Sequence, residues 1–160
     1  WEEVVLILFV ESERQSFLRA LTATWLQKLD PKVALVFAGN VGLRLPALLA
    51  TRPRTTIYIH KGKDGYSNLD EKVHEAFRFA LQRFPTSRFI FKVDDDSYLI
   101  PYNLGEFLMS LSVVTPKDLP LYFGKTICNN KTGMAAAGFE QFCHAQGGCY
   151  GLNRAAAELL

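Results

Sequence analysis

Three consecutive carboxylates, Asp94, Asp95 and Asp96, directly follow an apolar run at residues 89–93. A run rich in Phe, Ile and Val favours a buried strand, and such a strand does not end in three negative charges without a cation or donors nearby. Hard carboxylate oxygens suit Mg²⁺ or Mn²⁺, which also bind the phosphates of a substrate. In an open α/β sheet, ligands bind at the carboxyl ends of the strands. The junction therefore predicts a site for a divalent metal ion and a phosphate-bearing ligand.

The alternative interpretation of the acidic cluster is a solvated turn or a helix N-terminus, which also favours negative charge. The buried strand before the cluster, and Ser97 and Tyr98 as donors after it, favour the metal site. Because alternate residues of an extended chain project to the same side, Asp94 and Asp96 are expected to share one cleft. Lys92 is either a counter-ion of the carboxylates or a surface lysine of an alternating strand.

Two further segments could contact such a ligand. In the first, a glycine turn leads into a capped helix, and Lys72 lies about one turn into that helix. There Lys72 could reach a phosphate or the acidic cluster, or pair with a glutamate at the surface. The second contains Gly147 and Gly148, which either let the backbone approach a ligand closely or mark a plain loop-to-strand transition. Trp25 is expected in the core.

Apolar runs and helical periodicities alternate along the chain. The predicted strands are 4–10, 33–38, 55–59, 89–93, 121–126 and 148–152. The predicted helices are 13–29, 67–84, 103–111 and one that Asn153 caps near the end, with a short helical turn within 40–54 and a long loop at 128–147. Strands that alternate with helices predict an α/β fold with a mostly parallel sheet flanked by helices. The 160 residues fit a single domain over 1–160.

Composition excludes several classes of protein. Hydrophobic residues make up 49% and charged residues 21% of the chain, as in a globular domain. The net charge of +2 and the scattered basic residues give no electrostatic footprint for nucleic acid. The apolar run 4–10 is too short to span a bilayer. The three cysteines, Cys128, Cys143 and Cys149, have no CxxC spacing, and either one disulfide with a free thiol or three reduced thiols is compatible with the sequence.

Four segments in chain order resemble the inverting β1,3-glycosyltransferases, the group that includes Fringe and the core 1 galactosyltransferases. They are DGYSNLDEKVHEAFRFA, FIFKVDDDSYLIPYNLGEFL, LYFGK and QGGCYGLNRAAAELL, and Arg19 with Thr24-Trp25 is similar to the family's R…TW segment. The resemblance implies a GT-A fold, which is Rossmann-like. It also implies metal-dependent transfer of galactose or N-acetylhexosamine from a UDP-sugar to a glycan or glycoprotein acceptor, in β1,3 linkage and with inversion.

The resemblance also assigns residues. It implies Mn²⁺, or Mg²⁺, held by Asp96 and Asp94. The residues that it places near the nucleotide-sugar are Glu11, Ser12, Arg19, Tyr66, Lys72, Asp94, Asp95, Gly147 and Gly148. The family's catalytic base, and a histidine that helps bind the metal, are expected beyond Leu160, so the sequence is interpreted as a C-terminally truncated segment of a longer protein. Glu158 and His144 are poor replacements for them.

The same resemblance predicts a single-pass type II membrane protein of the Golgi or ER lumen, whose anchor is not in this segment, and leaves a homodimer open. Cys149 departs from the family, which commonly has Ala or Gly at this position. The alternative function is that of a catalytically inactive relative acting as a chaperone or glycan-binding module. An unrelated phosphotransferase lacks support, because the sequence contains neither GxxxxGK[ST] nor GxGxxG.

Overall fold

The computed structural model describes residues 1, 3–11, 15–62, 68–116, 118–129 and 142–160. The strands are β1 (Val4–Phe9), β2 (Ala34–Gly39), β3 (Thr55–Ile59), β4 (Phe89–Asp94), β5 (Tyr122–Asn129) and β6 (Phe142–Asn153). The α-helices are α1 (Gln15–Ala23), α2 (Ala47–Ala50), α3 (Leu69–Arg83), α4 (Pro101–Val114) and α5 (Arg154–Ala157), and a 3₁₀ helix covers Leu26–Lys28.

One sheet joins the six strands in the order β3-β2-β1-β4-β6-β5. The strands β1 to β4 pair in parallel, whereas β6 is antiparallel to both of its neighbours, β4 and β5. Five strands therefore run in the same direction, and the predicted α/β fold with a mostly parallel sheet is confirmed. The carboxyl ends of β1 and β4 lie side by side, because Phe9 is opposite Asp94 in the register.

Helices cover the sheet on both faces, which explains why β1 and β2 are uninterrupted apolar runs. On one face, Leu18 of α1 and Leu104 of α4 pack with the even-numbered residues of β1. On the other face, Phe77 of α3 and Ala157 of α5 pack with its odd-numbered residues. Alternation along β4 therefore directs Lys92 and Asp94 toward the face that carries α3.

Several local predictions are confirmed and others need correction. Asn153 caps α5, since its side chain accepts a hydrogen bond from the amide of Ala156 at 3.0 Å. The predicted helix 103–111 is too short, because α4 begins at Pro101 and ends at Val114. The predicted helix 13–29 is too long, because α1 ends at Ala23 and a 3₁₀ turn follows. Phe17, one of the apolar residues whose helical spacing supports that prediction, is 41% exposed on α1.

The predicted loop 128–147 was also too long, and the last strand too short. Within the described residues, β5 continues to Asn129 and β6 already begins at Phe142. Cys128 is disulfide-bonded, and the register places Cys143 opposite it. Cys149 is a free thiol, so the alternative of three reduced cysteines is wrong. In the part of the chain that the structure describes, no helix has the length and apolarity needed to cross a membrane.

Candidate functional site

The acidic cluster forms a tight turn at the carboxyl end of β4. The strand ends at Asp94, and Asp95 and Asp96 lie in a turn that the amide of Ser97 closes by donating to the carbonyl of Asp94 at 3.0 Å. The expectation that strand alternation directs Asp94 and Asp96 into one cleft assumed an extended chain through all three residues. Because the chain turns after Asp94, alternation does not decide where Asp96 points.

Asp94 is paired with a buried lysine. Lys92 is only 2% exposed, and its ammonium contacts Asp94 Oδ1 and the carbonyl oxygen of Gly147. The rings of Phe9 and Tyr150 lie 5.6 and 5.9 Å from the same nitrogen. Lys92 is therefore a counter-ion, and the interpretation as a surface lysine is wrong. Burial nevertheless raises the pKa of Asp94 above its usual value, because desolvation outweighs the attraction of Lys92.

The next two carboxylates differ in exposure. Asp95 is only 5% exposed, and its Oδ2 accepts a hydrogen bond of 3.3 Å from the amide of Glu11, which follows β1. Asp96 is exposed. Asp95 therefore fastens the turn to the end of β1, while Asp96 presents its carboxylate to solvent.

A surface groove runs along the turn. The groove has a volume of 390 Å³ and lies between the acidic turn and one side of α1. Its lining residues are Phe17, Ala20, Leu21, Thr24, Asp95, Asp96, Ser97 and Tyr98. Trp25, buried as predicted, donates from Nε1 to the carbonyl of Ser97 at 3.3 Å. Phe17 is thus exposed because it forms part of the wall of this groove.

The two glycines of β6 lie against the same turn. Gly147 accepts a hydrogen bond from Lys92 through its carbonyl, and Gly148 accepts one of 3.0 Å from the hydroxyl of Ser97. The structure therefore brings the glycine pair and the acidic cluster together, although about fifty residues separate them in the sequence.

The remaining candidates lie on or next to helices, or outside the described residues. Lys72 is 5% exposed on α3 and so is buried, not at the surface. Arg19 is exposed on α1. Glu158 forms an ion pair of 2.7 Å with Arg154. Ser12, Tyr66 and the side chain of His144 lie outside the part of the chain that the structure describes.

One polar cluster near this edge of the sheet carried no recognisable signal in the sequence. His60 follows β3 and is 2% exposed, and its Nδ1 lies 2.9 Å from Glu75 Oε2 on α3. The hydroxyl of Tyr58 donates to the same carboxylate oxygen. The hydrogen bonds from Tyr58 and His60 lower the pKa of Glu75. A histidine and a glutamate fifteen residues apart indicate nothing until the fold places them together.

The donor set at the turn fits Mn²⁺ or Mg²⁺. Within the described residues, no group of three or more His, Cys, Asp or Glu side chains is gathered for a metal ion. Such ions need only one or two carboxylates when phosphates complete the coordination. The exposed Asp96 and the half-buried Asp94 can supply those carboxylates.

The fold is similar to that of a glycosyltransferase of known structure. The chain is similar to a crystal structure of a glycosyltransferase involved in the glycosylation of the major capsid of PBCV-1, with a TM-score of 0.51 and 12% identity. The match covers 98% of this chain and 62% of that chain, so the present chain spans less than two thirds of the length of that protein. A search of the curated proteins finds no match.

Residues 57–160 match the family model of galactosyltransferases. Since this match covers more than half of the chain, the protein belongs to the galactosyltransferase family. The matched region includes α3, the acidic turn after β4 and the glycine pair of β6. The resemblance to β1,3-galactosyltransferase-like GT-A proteins is confirmed at the level of the family.

Proposed function

We propose that this chain forms the nucleotide-sugar-binding part of a metal-dependent glycosyltransferase. The enzyme transfers galactose or N-acetylhexosamine from a UDP-sugar to a glycan or glycoprotein acceptor, in β1,3 linkage and with inversion. The observation that carries this proposal is the acidic turn at the carboxyl end of β4, in a chain of the galactosyltransferase family, with Asp96 exposed beside a groove. Ligands of open α/β sheets bind at this edge.

The residues of the turn have separate roles in this proposal. Asp96, with Asp94, holds Mn²⁺ or Mg²⁺, which when bound neutralises negative charge on the departing diphosphate. Asp95 fixes the turn to the amide of Glu11. The backbone of Gly147 and Gly148 lies near the donor sugar, where the absence of side chains permits close approach.

The other nucleotide-contacting residues are proposed from the family resemblance. They are Ser12, Arg19, Tyr66 and Lys72. An inverting transfer also needs a general base to deprotonate the acceptor hydroxyl, and we place that base beyond Leu160. The same resemblance supports a single-pass type II membrane protein in the Golgi or ER lumen, with a homodimer left open.

Calorimetric titration of the protein with UDP tests the proposal directly. UDP is expected to bind in the presence of Mn²⁺ and to lose its affinity when EDTA removes the metal. Asp96→Ala should abolish the Mn²⁺-dependent part of binding. Asp118→Ala is the matched control, because Asp118 is an exposed aspartate before β5 and away from the turn. UDP binding that responds neither to EDTA nor to Asp96→Ala would refute the proposed function.

The alternative, an inactive relative acting as a chaperone or glycan-binding module, predicts a different result. Such a protein would not release UDP from a UDP-sugar in the presence of acceptor. A coupled assay for UDP release by the full-length protein, with UDP-galactose, UDP-GlcNAc and UDP-GalNAc as donors, separates the two functions and identifies the donor sugar.

A further inference from the structure

The glycine pair lies in a bulge of β6. The register pairs β6 with β4 at residues 149–153 and with β5 at 142–145 and 150–152, with a shift between Gly124 and Thr126. Residues 146–148 are outside both of these registers. Bulges of this kind occur next to active sites, where they redirect the chain. The backbone groups of the bulge consequently need hydrogen-bond partners other than a neighbouring strand.

Two side chains supply partners for consecutive carbonyls of the bulge. Lys92 donates to the carbonyl of Gly147, and Ser97 donates to the carbonyl of Gly148 at 3.0 Å. Lys92 lies two residues before the acidic cluster, and Ser97 lies directly after it. The two donors therefore come from the two sides of one turn.

Packing does not explain the position of the bulge. A Cβ atom added to Gly147 would meet no atom within 4 Å, and one added to Gly148 would meet only Ser97 Oγ, at 3.3 Å. In contrast, Lys92 is almost completely buried. A buried ammonium is stable only when charges and hydrogen bonds compensate its desolvation. Lys92 is therefore held by Asp94, by the Gly147 carbonyl and by two aromatic rings.

We propose that Lys92 and Ser97 are positioning residues that anchor the Gly147–Gly148 bulge to the acidic turn. The functional consequence rests on the proposed function. In that function the carboxylates and their metal ion hold the diphosphate, and the anchored backbone fixes the donor sugar relative to it. Loss of an anchor should therefore impair transfer of the sugar more than binding of UDP. An error of about 1 Å in the position of a reacting group can reduce the rate about a hundredfold.

Hydrogen exchange of the protein without nucleotide tests the anchoring itself. Lys92→Met removes the ammonium at similar length, and Ser97→Ala removes the hydroxyl. Each change should accelerate amide exchange in residues 146–150 by about tenfold, because one hydrogen bond that restrains local opening is lost. Lys28→Met, at an exposed lysine of the 3₁₀ helix, should leave this exchange unchanged. Ser97→Thr retains the hydroxyl and should restore slow exchange.

A comparison of turnover with UDP affinity tests the positioning role. Ser97→Ala is the cleaner variant here, since Lys92→Met also leaves Asp94 without its counter-ion. In the full-length protein, Ser97→Ala should lower kcat for UDP-sugar by roughly tenfold or more, while the Kd of UDP with Mn²⁺ stays within about twofold. A merely structural role would lower stability without separating these two quantities.

Unchanged exchange in both variants would overturn the proposal. Faster exchange in Ser97→Ala with wild-type kcat would also overturn it. If the wild-type protein does not bind UDP with Mn²⁺, the proposed function fails instead, and the anchoring is still decided by the exchange measurement.

Discussion

Alanine substitutions of the neighbouring residues Asp95 and Asp96 are expected to have opposite effects on stability and binding. Asp95 is 5% exposed and accepts a hydrogen bond from the Glu11 amide. Asp95→Ala removes this charged acceptor from the Glu11 amide, which should lower the free energy of unfolding by about 1.5–3 kcal/mol. Asp96 is exposed, and its removal should change the free energy of unfolding by less than about 0.5 kcal/mol.

Thermal unfolding and UDP titration measure the two effects separately. For a domain of this size, 1 kcal/mol shifts Tm by about 2–4 °C. Asp95→Ala should therefore lower Tm by about 4–8 °C, for a cost near 2 kcal/mol, whereas Asp96→Ala should lower it by no more than about 2 °C. Mn²⁺-dependent UDP binding should instead be reduced more by Asp96→Ala than by Asp95→Ala. Asp96→Ala should abolish this binding although the protein stays fully folded.

Three results would refute this reasoning. The first is equal destabilisation by the two substitutions, which would mean that the difference in burial has no energetic consequence. The second is wild-type affinity of Asp96→Ala for UDP with Mn²⁺. The third is an unchanged Tm in Asp95→Ala, which would show that the bond to the Glu11 amide does not hold the turn.

Three further predictions concern the surroundings of the site. Gly151→Ala should destabilise the fold by about 1–3 kcal/mol or more, because the new Cβ would lie 2.3 Å from the Phe123 ring. Gly147→Ala is the control, because a Cβ at that position has open space. Chemical denaturation compares the stability of the two variants. Hydrogen bonds lower the pKa of Glu75 in the folded protein. The ionised carboxylate therefore contributes its full stabilisation above the pKa of the unfolded chain, about 4.3. This stabilisation is lost as the pH falls through the lower pKa of the folded protein. The free energy of unfolding of Glu75→Gln should therefore depend less on pH in this acid range than that of the wild-type protein. Burial raises the pKa of the Cys149 thiol, so alkylation near neutral pH should be slower than for a free thiol in the unfolded chain.

Each of these predictions has an outcome that contradicts it. Equal stability of the two glycine variants would show that Gly151 is not closely packed. A wild-type pH dependence in Glu75→Gln would exclude a role for the hydrogen-bonded carboxylate in acid unfolding. Alkylation of Cys149 at the same rate in native and denatured protein would show that burial does not suppress formation of its thiolate.

The local elements were readable from the sequence because their signals are local. The strand predicted at residues 55–59 is β3 itself (Thr55–Ile59), and the capping role of Asn153 is confirmed. The long helix predicted at 13–29 was wrong because periodicity continues through Trp25, although the chain has already left the α-helix at Ala23. The length of β6 was missed because its glycine-rich bulge has the composition of a loop.

The sequence by itself determined that three carboxylates follow a buried strand of an α/β sheet, since both the apolar run and the acids are contiguous. Only the tertiary structure decided what each carboxylate does. The partners of the site are distant in the chain: Glu11 is 84 residues from Asp95, and Gly147 is 55 residues from Lys92. Strand order and register bring these groups together, and burial then determines which charges are paired and which, as at Asp96, remain open to solvent.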